Sequence, residues 1–387
     1  MKIGFLITYF YPKTGGAENN CFFLAKELAK KHEVHVFCSG EEDKDEKIFN
    51  INVHRCKEIF RIKYYLAFYP SIVNKLLNSD LDILHIQGFG FIQHDIAVKK
   101  LKNKNPNLKI VCTPHGPFMA LKKYNIFGRL FKKFYEPKIK NAVKNYDALI
   151  QVNPTQYKWM NEIYNFPKEK VKFIPNGIVK ETFKKISKEK RNKILKKYNL
   201  LDLHGKILVT YMGRIQKYKG LDQVIRAISD SELLREKVIF LAIGNDVGDR
   251  KRLEELSKDL KVEKNILFTG KNVYGDEKLA ILDSSEIFVF PSEWEAFGIV
   301  VLEAMARGNA VISSKTEGGL YLVKEEKNGF LYDFGEFNKL KFYLEKLVKN
   351  NSLVKKLKNN NIKKAKRFIW EDIAKDLEKL YISLIKK

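Results

Sequence analysis

Short apolar runs recur along the chain, separated by longer stretches in which apolar and charged positions alternate at helical spacing. In the first half the runs are KIGFLITYF, EVHVFC, DILHIQ, KIVCT and ALIQVN. Runs this short and this continuously apolar predict strands buried on both faces, and the amphipathic stretches between them predict the covering helices. A charged, helix-prone stretch from Ile178 to Asn199 interrupts the pattern, which restarts with KILVTYMGR, KVIFLAIG, NILFTG, IFVFPS and NAVISS. Two rounds of strand and helix predict an α/β fold of two Rossmann-like domains, residues 1–177 and 178–366, each built on a parallel sheet.

The restart is a loose internal repeat. KIGFLITYFYPKTGGAEN and KILVTYMGRIQKYKGLDQ each place a strand, a glycine-bearing loop and a helix in that order, so each half opens with a potential anion-binding turn. Ligands of open α/β sheets sit outside the carboxyl ends of the strands, and two such sheets facing across a cleft would place function between them.

A chain of 387 residues suits two moderate domains, and 45% hydrophobic residues suffice for two cores. The opening apolar run stops at Pro12 without a small-residue cleavage site and reads as a strand, not a signal peptide. No apolar stretch reaches the ~18 residues of an ordinary membrane-spanning helix. The four cysteines, Cys21, Cys38, Cys56 and Cys112, form no close pair, which fits reduced thiols in a cytoplasmic protein. A net charge of +26 ordinarily raises nucleic acid or an anionic membrane as a partner. Here it accompanies a general richness in Lys, Asn and Ile, and blocks such as KKLKNKNPNLK read as solvated surface, so no nucleic-acid partner is expected.

The richest chemistry lies in PSEWEAFGIVVLEAMARGNAVI, residues 291–312. Ser292 has the character of a helix cap, and Gly298 lets an anion approach the amides of the helix start, where the helix dipole favours negative charge. Glu303 follows Gly298 by five positions, a helical rise of about 7.5 Å, comparable to the span from a diphosphate to a ribose. Its carboxylate suits a pair of ribose hydroxyls, while Glu295, across the turn, suits whatever the diphosphate carries, a sugar being the obvious cargo. Arg214 and Lys219 follow the first strand of the same half and are placed to neutralise a diphosphate.

These residues resemble the retaining GT-B glycosyltransferases of family 4. The resemblance rests on Gly213–Arg214 with Lys219–Gly220, the FTG at Phe268 to Gly270, the two glutamates with seven residues between them, Gly318–Gly319 and NGFLYD. It extends to GGAE at Gly15 to Glu18, PHG at Pro114 to Gly116, PNGI at Pro175 to Ile178 and the late FIWEDIA, and so covers nearly the whole chain. It implies a UDP- or GDP-sugar donor bound mainly by the second domain and a glycan or lipid-linked acceptor bound mainly by the first. It also implies transfer with retention and no required divalent metal. Position by position, it assigns Arg214 and Lys219 to the diphosphate, Glu295 to the donor sugar, the backbone at Gly298 and Ile299 to donor oxygens, and Glu303 to the ribose. It further implies a C-terminal helix, about 367–387, that packs back on the first domain, and a hinge near Pro175–Gly177.

In the first domain the resemblance puts His115 beside the donor sugar and reaction centre, and Gly15 and Gly16 allow backbone approach to donor phosphate or acceptor. Glu18 reads equally as an ordinary first-turn acid. Departures from the pattern, Val179 after PNGI, AIGNDVGDR without Gly-x-Gly spacing, and LYLV after Gly318–Gly319, bear on donor identity. Residues 118–140 set Phe127, Leu130, Phe131 and Phe134 among Arg129, Lys132 and Lys133, a pattern that suits either a core-facing helix or one lying on an anionic membrane surface. A nucleotide-sugar epimerase or a sugar phosphorylase is the nearer alternative. A basic nucleic-acid binder accounts for the charge but not the glutamates. A nicotinamide dehydrogenase is disfavoured because G-x-G-x-x-G is absent after the first strand.

Overall fold

In the computed structural model, which describes residues 1–63, 66–116 and 126–386 with the side chains at 62–66 and 126–132 left aside, the chain divides into two compact units. One is Met1–Gly177 together with Trp370–Lys387, and the other is Ile178–Ile369. The apolar runs become the inner strands of two largely parallel sheets, an α/β fold of two Rossmann-like units.

The first unit contains β1 (Lys2–Leu6), β2 (Glu33–Gly40), β3 (Lys44–Ile48), β4 (Ile51–Lys57), the hairpin strands β5 (Phe60–Lys63) and β6 (Leu66–Phe68), then β7 (Ile83–Gln87), β8 (Lys109–Thr113), β9 (Ala148–Gln151) and β10 (Val171–Phe173). Its main sheet runs β10-β9-β8-β7-β1-β2-β4-β3, and only the β3–β4 pair is antiparallel. All five residues of β7 are buried, as a central parallel strand requires. His85, buried within it, meets both of its needs, with Nδ1 2.6 Å from the Tyr381 hydroxyl and Nε2 2.7 Å from Thr113 Oγ1.

The second unit contains β11 (Ile207–Met212), β12 (Val238–Ile243), β13 (Ile266–Phe268), β14 (Ile287–Phe290), β15 (Ala310–Ser314) and β16 (Gly329–Tyr332). They form one parallel sheet in the order β13-β12-β11-β14-β15-β16. Numbered from the unit's first strand this is 3-2-1-4-5-6, the doubly wound order, and its direction reverses between β11 and β14. The same reversal falls between β1 and β7 in the first unit. These switch points, at the carboxyl ends of the strands, are where such sheets hold ligands.

Five elements had no counterpart in the apolar pattern: β3, β4, the β5–β6 hairpin, β10 and β16. β3 reads KDEKI because it is an edge strand with solvent on one side, and β10 is three residues long at the other edge. Ser292 is not a helix cap. The helix following it begins at Ile299 with Gly298 as its N-cap, and Ser292 is fully buried. Of residues 118–140, positions 118–125 and the side chains to 132, including Phe127, Arg129, Leu130, Phe131 and Lys132, lie outside the described residues, while Phe134 is exposed on a helix spanning Ile126–Ala142.

The C-terminal helix, Trp370–Ile385, belongs to the first unit. Trp370 stacks on Phe23 of α1 (Gly16–Leu28) with ring centroids 5.7 Å apart. Gly177 sits so close that a Cβ there would come within 2.8 Å of Ile373 Cδ1. The four cysteines are unpaired and buried, and burial pushes Cys38 up to about 12 and Cys56 to about 11. Among the described residues no helix is long and apolar enough to cross a membrane.

Candidate active site

At the switch point of the second unit the loops after β11 and β14 are laced together. Gly220 takes a left-handed conformation (φ +65°), and a side chain there would place its Cβ 2.3 Å from the Pro291 carbonyl oxygen. The Gln223 side-chain amide donates to that same oxygen at 3.2 Å, and the Glu293 N–H donates to Tyr218 O at 2.8 Å. This lacing brings Lys219 and Glu295, 76 positions apart in sequence, to a 3.0 Å contact between Nζ and Oε2. The Lys219 side chain is 8% exposed and its ammonium also lies 4.8 Å and 5.2 Å from the ring centroids of Tyr218 and Phe290. Both charges are therefore held rather than waving in solvent.

Arg214 differs from its expected partner. Its side chain is exposed, and its guanidinium donates to the Tyr218 hydroxyl at 3.0 Å. Of the two cations assigned to a diphosphate, Lys219 is already charge-compensated by Glu295, and Arg214 supplies positive charge at the rim.

Beyond Glu295 the chain turns through Gly298, left-handed at φ +85°, into α2 (Ile299–Ala306). The leading amides of a helix have no partners within it and point out of its start, with the dipole behind them. The turn is fixed from behind by the Gly318–Gly319 pair. The Gly318 N–H donates to the Glu295 carbonyl at 3.0 Å, and a Cβ on Gly318 would fall 2.2 Å from Phe297 O. The requirement for glycine at 318 is thus steric and local to the loop that carries Glu295.

Glu303 lies on α2, mostly buried, and its Oε1 accepts from Lys278 Nζ at 2.6 Å. It is not the free acceptor that the sequence suggested. Lys278 stands 25 positions upstream in the helix Gly275–Asp283, within the unremarkable stretch GDEKLAIL, and no spacing rule pointed to it.

In the first unit, His115 follows β8 in the left-handed region (φ +59°). Its Nε2 is 2.5 Å from Gln87 Oε1, at the end of the neighbouring β7, so the ring carries its proton on Nε2 and presents Nδ1 as an acceptor. Removal from water pulls the imidazole down to about 3, which keeps it neutral. The Gln87 Nε2 is buried with no hydrogen-bond partner among the described residues. Gly15 and Gly16 cap and open α1. A Cβ on Gly15 would lie 2.3 Å from the Glu18 carboxylate, which folds back over it, whereas a Cβ on Gly16 would meet nothing within 4 Å. Nothing in the fold itself demands glycine at 16.

Among the described residues no group of three His, Cys, Asp or Glu side chains is placed to hold a metal ion. The chain has two Asp-x-Asp triplets, Asp43–Asp45 and Asp80–Asp82, and three of their four carboxylates make contacts within the fold, while Asp80 is exposed. Asp43 accepts from Ser71 and the Lys57 N–H, Asp45 pairs with Lys75 and His54, and Asp82 accepts from the Lys2 N–H.

Two family models match this chain. Residues 14–181 match Glycosyltransferase Family 4, and residues 191–364 match Glycosyl transferases group 1. An uncharacterized glycosyltransferase of Methanocaldococcus jannaschii is 28% identical over 394 aligned positions that cover 98% of each chain. Among solved structures, sucrose-phosphate synthase from Thermosynechococcus elongatus has a TM-score of 0.80 at 20% identity, covering 100% of this chain and 99% of that one. Anabaena HepE in complex with UDP has a TM-score of 0.79 at 19% identity, covering 99% and 100%. The two structures share the fold of this chain.

Proposed function

The chain belongs to the GT-B glycosyltransferases, and from that premise we propose that it moves a sugar from a UDP- or GDP-sugar to a glycan, lipid or lipid-linked acceptor, with retention of anomeric configuration and without a required divalent metal. The observation that carries the reading is the Lys219–Glu295 pair at the switch point, beside the glycine-led start of α2. A buried cation, an exposed one and a row of amides favour a diphosphate there, and they stabilise the charge that grows on the bridging oxygen as the sugar departs. Glu295 keeps one carboxylate oxygen on Lys219 and turns the other to the sugar hydroxyls. Glu303 takes the ribose.

To the first unit, residues 1–177 with the C-terminal helix, the reading assigns acceptor binding. Gly16 admits a ligand's close approach to the backbone, and His115, neutral with Nδ1 as acceptor, takes a hydrogen bond from a sugar hydroxyl. For location we propose the cytoplasm, with residues 118–140 resting on an anionic membrane face. Failure of the protein to float with phosphatidylglycerol liposomes at low salt counts against that attachment.

The test of the activity has two stages. Thermal melts with UDP, GDP and ADP identify the base through stabilisation of the folded state. The matching nucleotide sugars are then supplied with and without acceptors, following nucleoside diphosphate release and the product anomer by NMR. Acceptor-dependent release with retained configuration is expected. Free, phosphorylated or epimerised sugar formed without an acceptor assigns the phosphorylase or epimerase reading instead.

A further inference from the structure

Lys278, which pairs with the Glu303 carboxylate proposed to hold the ribose, is used neither by the sequence motifs nor by the assignments above. It lies in the first turn of its helix, Gly275–Asp283, and Glu303 lies in the second turn of α2. Each helix follows a parallel strand, β13 and β14 respectively, so both side chains stand toward the carboxyl end of the sheet, where ligands bind. Its sequence neighbours have other tasks. Asp276 pairs with Lys190, and Glu277 pairs with Lys197 and accepts from the Tyr198 hydroxyl at 2.8 Å, tying down the helix Lys188–Lys197. Lys278 alone of the three reaches Glu303, and both side chains of that pair are largely withdrawn from solvent, at 20% and 14% exposed.

A lone carboxylate offers a ribose only acceptors, so both hydroxyls must donate to it. With Oε1 engaged by Nζ, the pair presents a free acceptor, Oε2, beside an ammonium that still has two N–H donors. A hydroxyl both donates and accepts, so a vicinal diol fits this mixed set with one hydroxyl giving to Oε2 and its neighbour taking from Nζ. The ammonium also offsets the repulsion between Glu303 and the diphosphate of the same ligand. We propose that Lys278 and Glu303 act together as a clamp for the 2′,3′-diol, and that Lys278 makes the donor site select ribonucleotides over their deoxy counterparts. This rests on the nucleotide-sugar reading of the unit.

The experiment measures Kd by calorimetry for UDP, GDP and ADP and, for whichever binds, for its 2′-deoxy and 3′-deoxy forms. Wild-type protein, Lys278→Met, Lys278→Arg and Glu303→Ala are compared, with a thermal melt of each to verify folding. Wild type is expected to prefer the ribonucleotide by about 10-fold or more over at least one deoxy form, because a site built to bond a hydroxyl rejects the analogue lacking it. Lys278→Met is expected to reduce that ratio to about 3 or less, chiefly by weakening ribonucleotide binding, while Lys278→Arg keeps it. If folded Lys278→Met retains the full ratio while Glu303→Ala loses it, Lys278 only props one helix on the other and the inference fails alone. If no nucleoside diphosphate binds wild type, or Glu303→Ala changes nothing, the donor assignment fails and this inference with it.

Discussion

Lys219 Nζ and Glu295 Oε2 sit 3.0 Å apart at the point where the strand order of the second unit reverses. The lysine compensates the carboxylate, and in the proposed donor complex it would also face the phosphate, so the two residues are expected to act as one unit. Lys219→Ala and Glu295→Ala are each expected to lower kcat/KM by about 10²–10³, and the double variant to fall little further. Glu303→Ala is instead expected to weaken nucleotide binding by roughly 10- to 100-fold while leaving kcat at saturation nearly intact. A steady-state comparison of the four proteins checks both statements, and strict additivity of the Lys219 and Glu295 effects contradicts the first.

Two glycines separate fold from function. Gly318→Ala drives a Cβ against Phe297 O and is expected to cost about 3 kcal/mol or more, visible as a lowered Tm. Gly16→Ala meets no protein atom and lies in the first turn of α1, where alanine is the better helix former by about 0.5–1 kcal/mol. Its Tm is expected to hold or rise while transfer falls. A Gly16→Ala enzyme of wild-type activity removes that position from the site.

Gln87 holds His115 through a single hydrogen bond. Gln87→Ala is expected to lower kcat by about 2- to 10-fold, the worth of one neutral hydrogen bond, with little change in donor KM. Burial rather than this bond holds the imidazole at about 3, so the pH–kcat profiles of Gln87→Ala and the wild type are both expected to show no histidine limb near pH 6.5.

Buried titratable groups in the first unit set its acid stability. Burial lowers His85, His94 and His115 to about 3 each, so they stay neutral in the fold while the unfolded chain binds protons below its ordinary value near 6.5. Stability is therefore expected to fall as pH drops from about 6.5 toward 3. Asp95 acts with the opposite sign. Burial raises it to about 6, so between about 4 and 6 the fold keeps a proton that the unfolded chain has lost, and this contribution disappears as pH rises through 6. Asp95→Asn, which still accepts from the Tyr135 hydroxyl, is expected to raise Tm at pH 8 more than at pH 4.5. Equal shifts at both values contradict an ionised, buried Asp95.

The central strands were legible because a strand covered on both faces is predominantly apolar, as β12 is throughout and β7 is apart from His85 and Gln87. Edge strands escape that rule, and the polar KDEKI of β3 carries no such mark. The glutamates at 295 and 303 announced themselves through fixed spacing around Gly298, since one turn and one helix place them both. Lys278 and Gln87 did not, because each reaches its partner from a different element across the sheet's end, and such contacts exist only once the strand order is known. Ser292 misled for a related reason: seen locally it precedes a helix, yet the loop it begins runs six residues further before Ile299 starts that helix.

The closing of the first unit by Trp370–Ile385 has a consequence for biosynthesis. Its sheet is complete by Phe173, but 192 residues, 178–369, must leave the ribosome before the helix that covers α1 and supplies Tyr381 to His85. At the usual ~5–20 residues per second, the face awaiting that helix stays bare for roughly 10–40 s. During that interval the nascent first unit exposes apolar surface of the kind chaperones shield, and a protein assembled from residues 1–177 alone would keep that exposed face permanently.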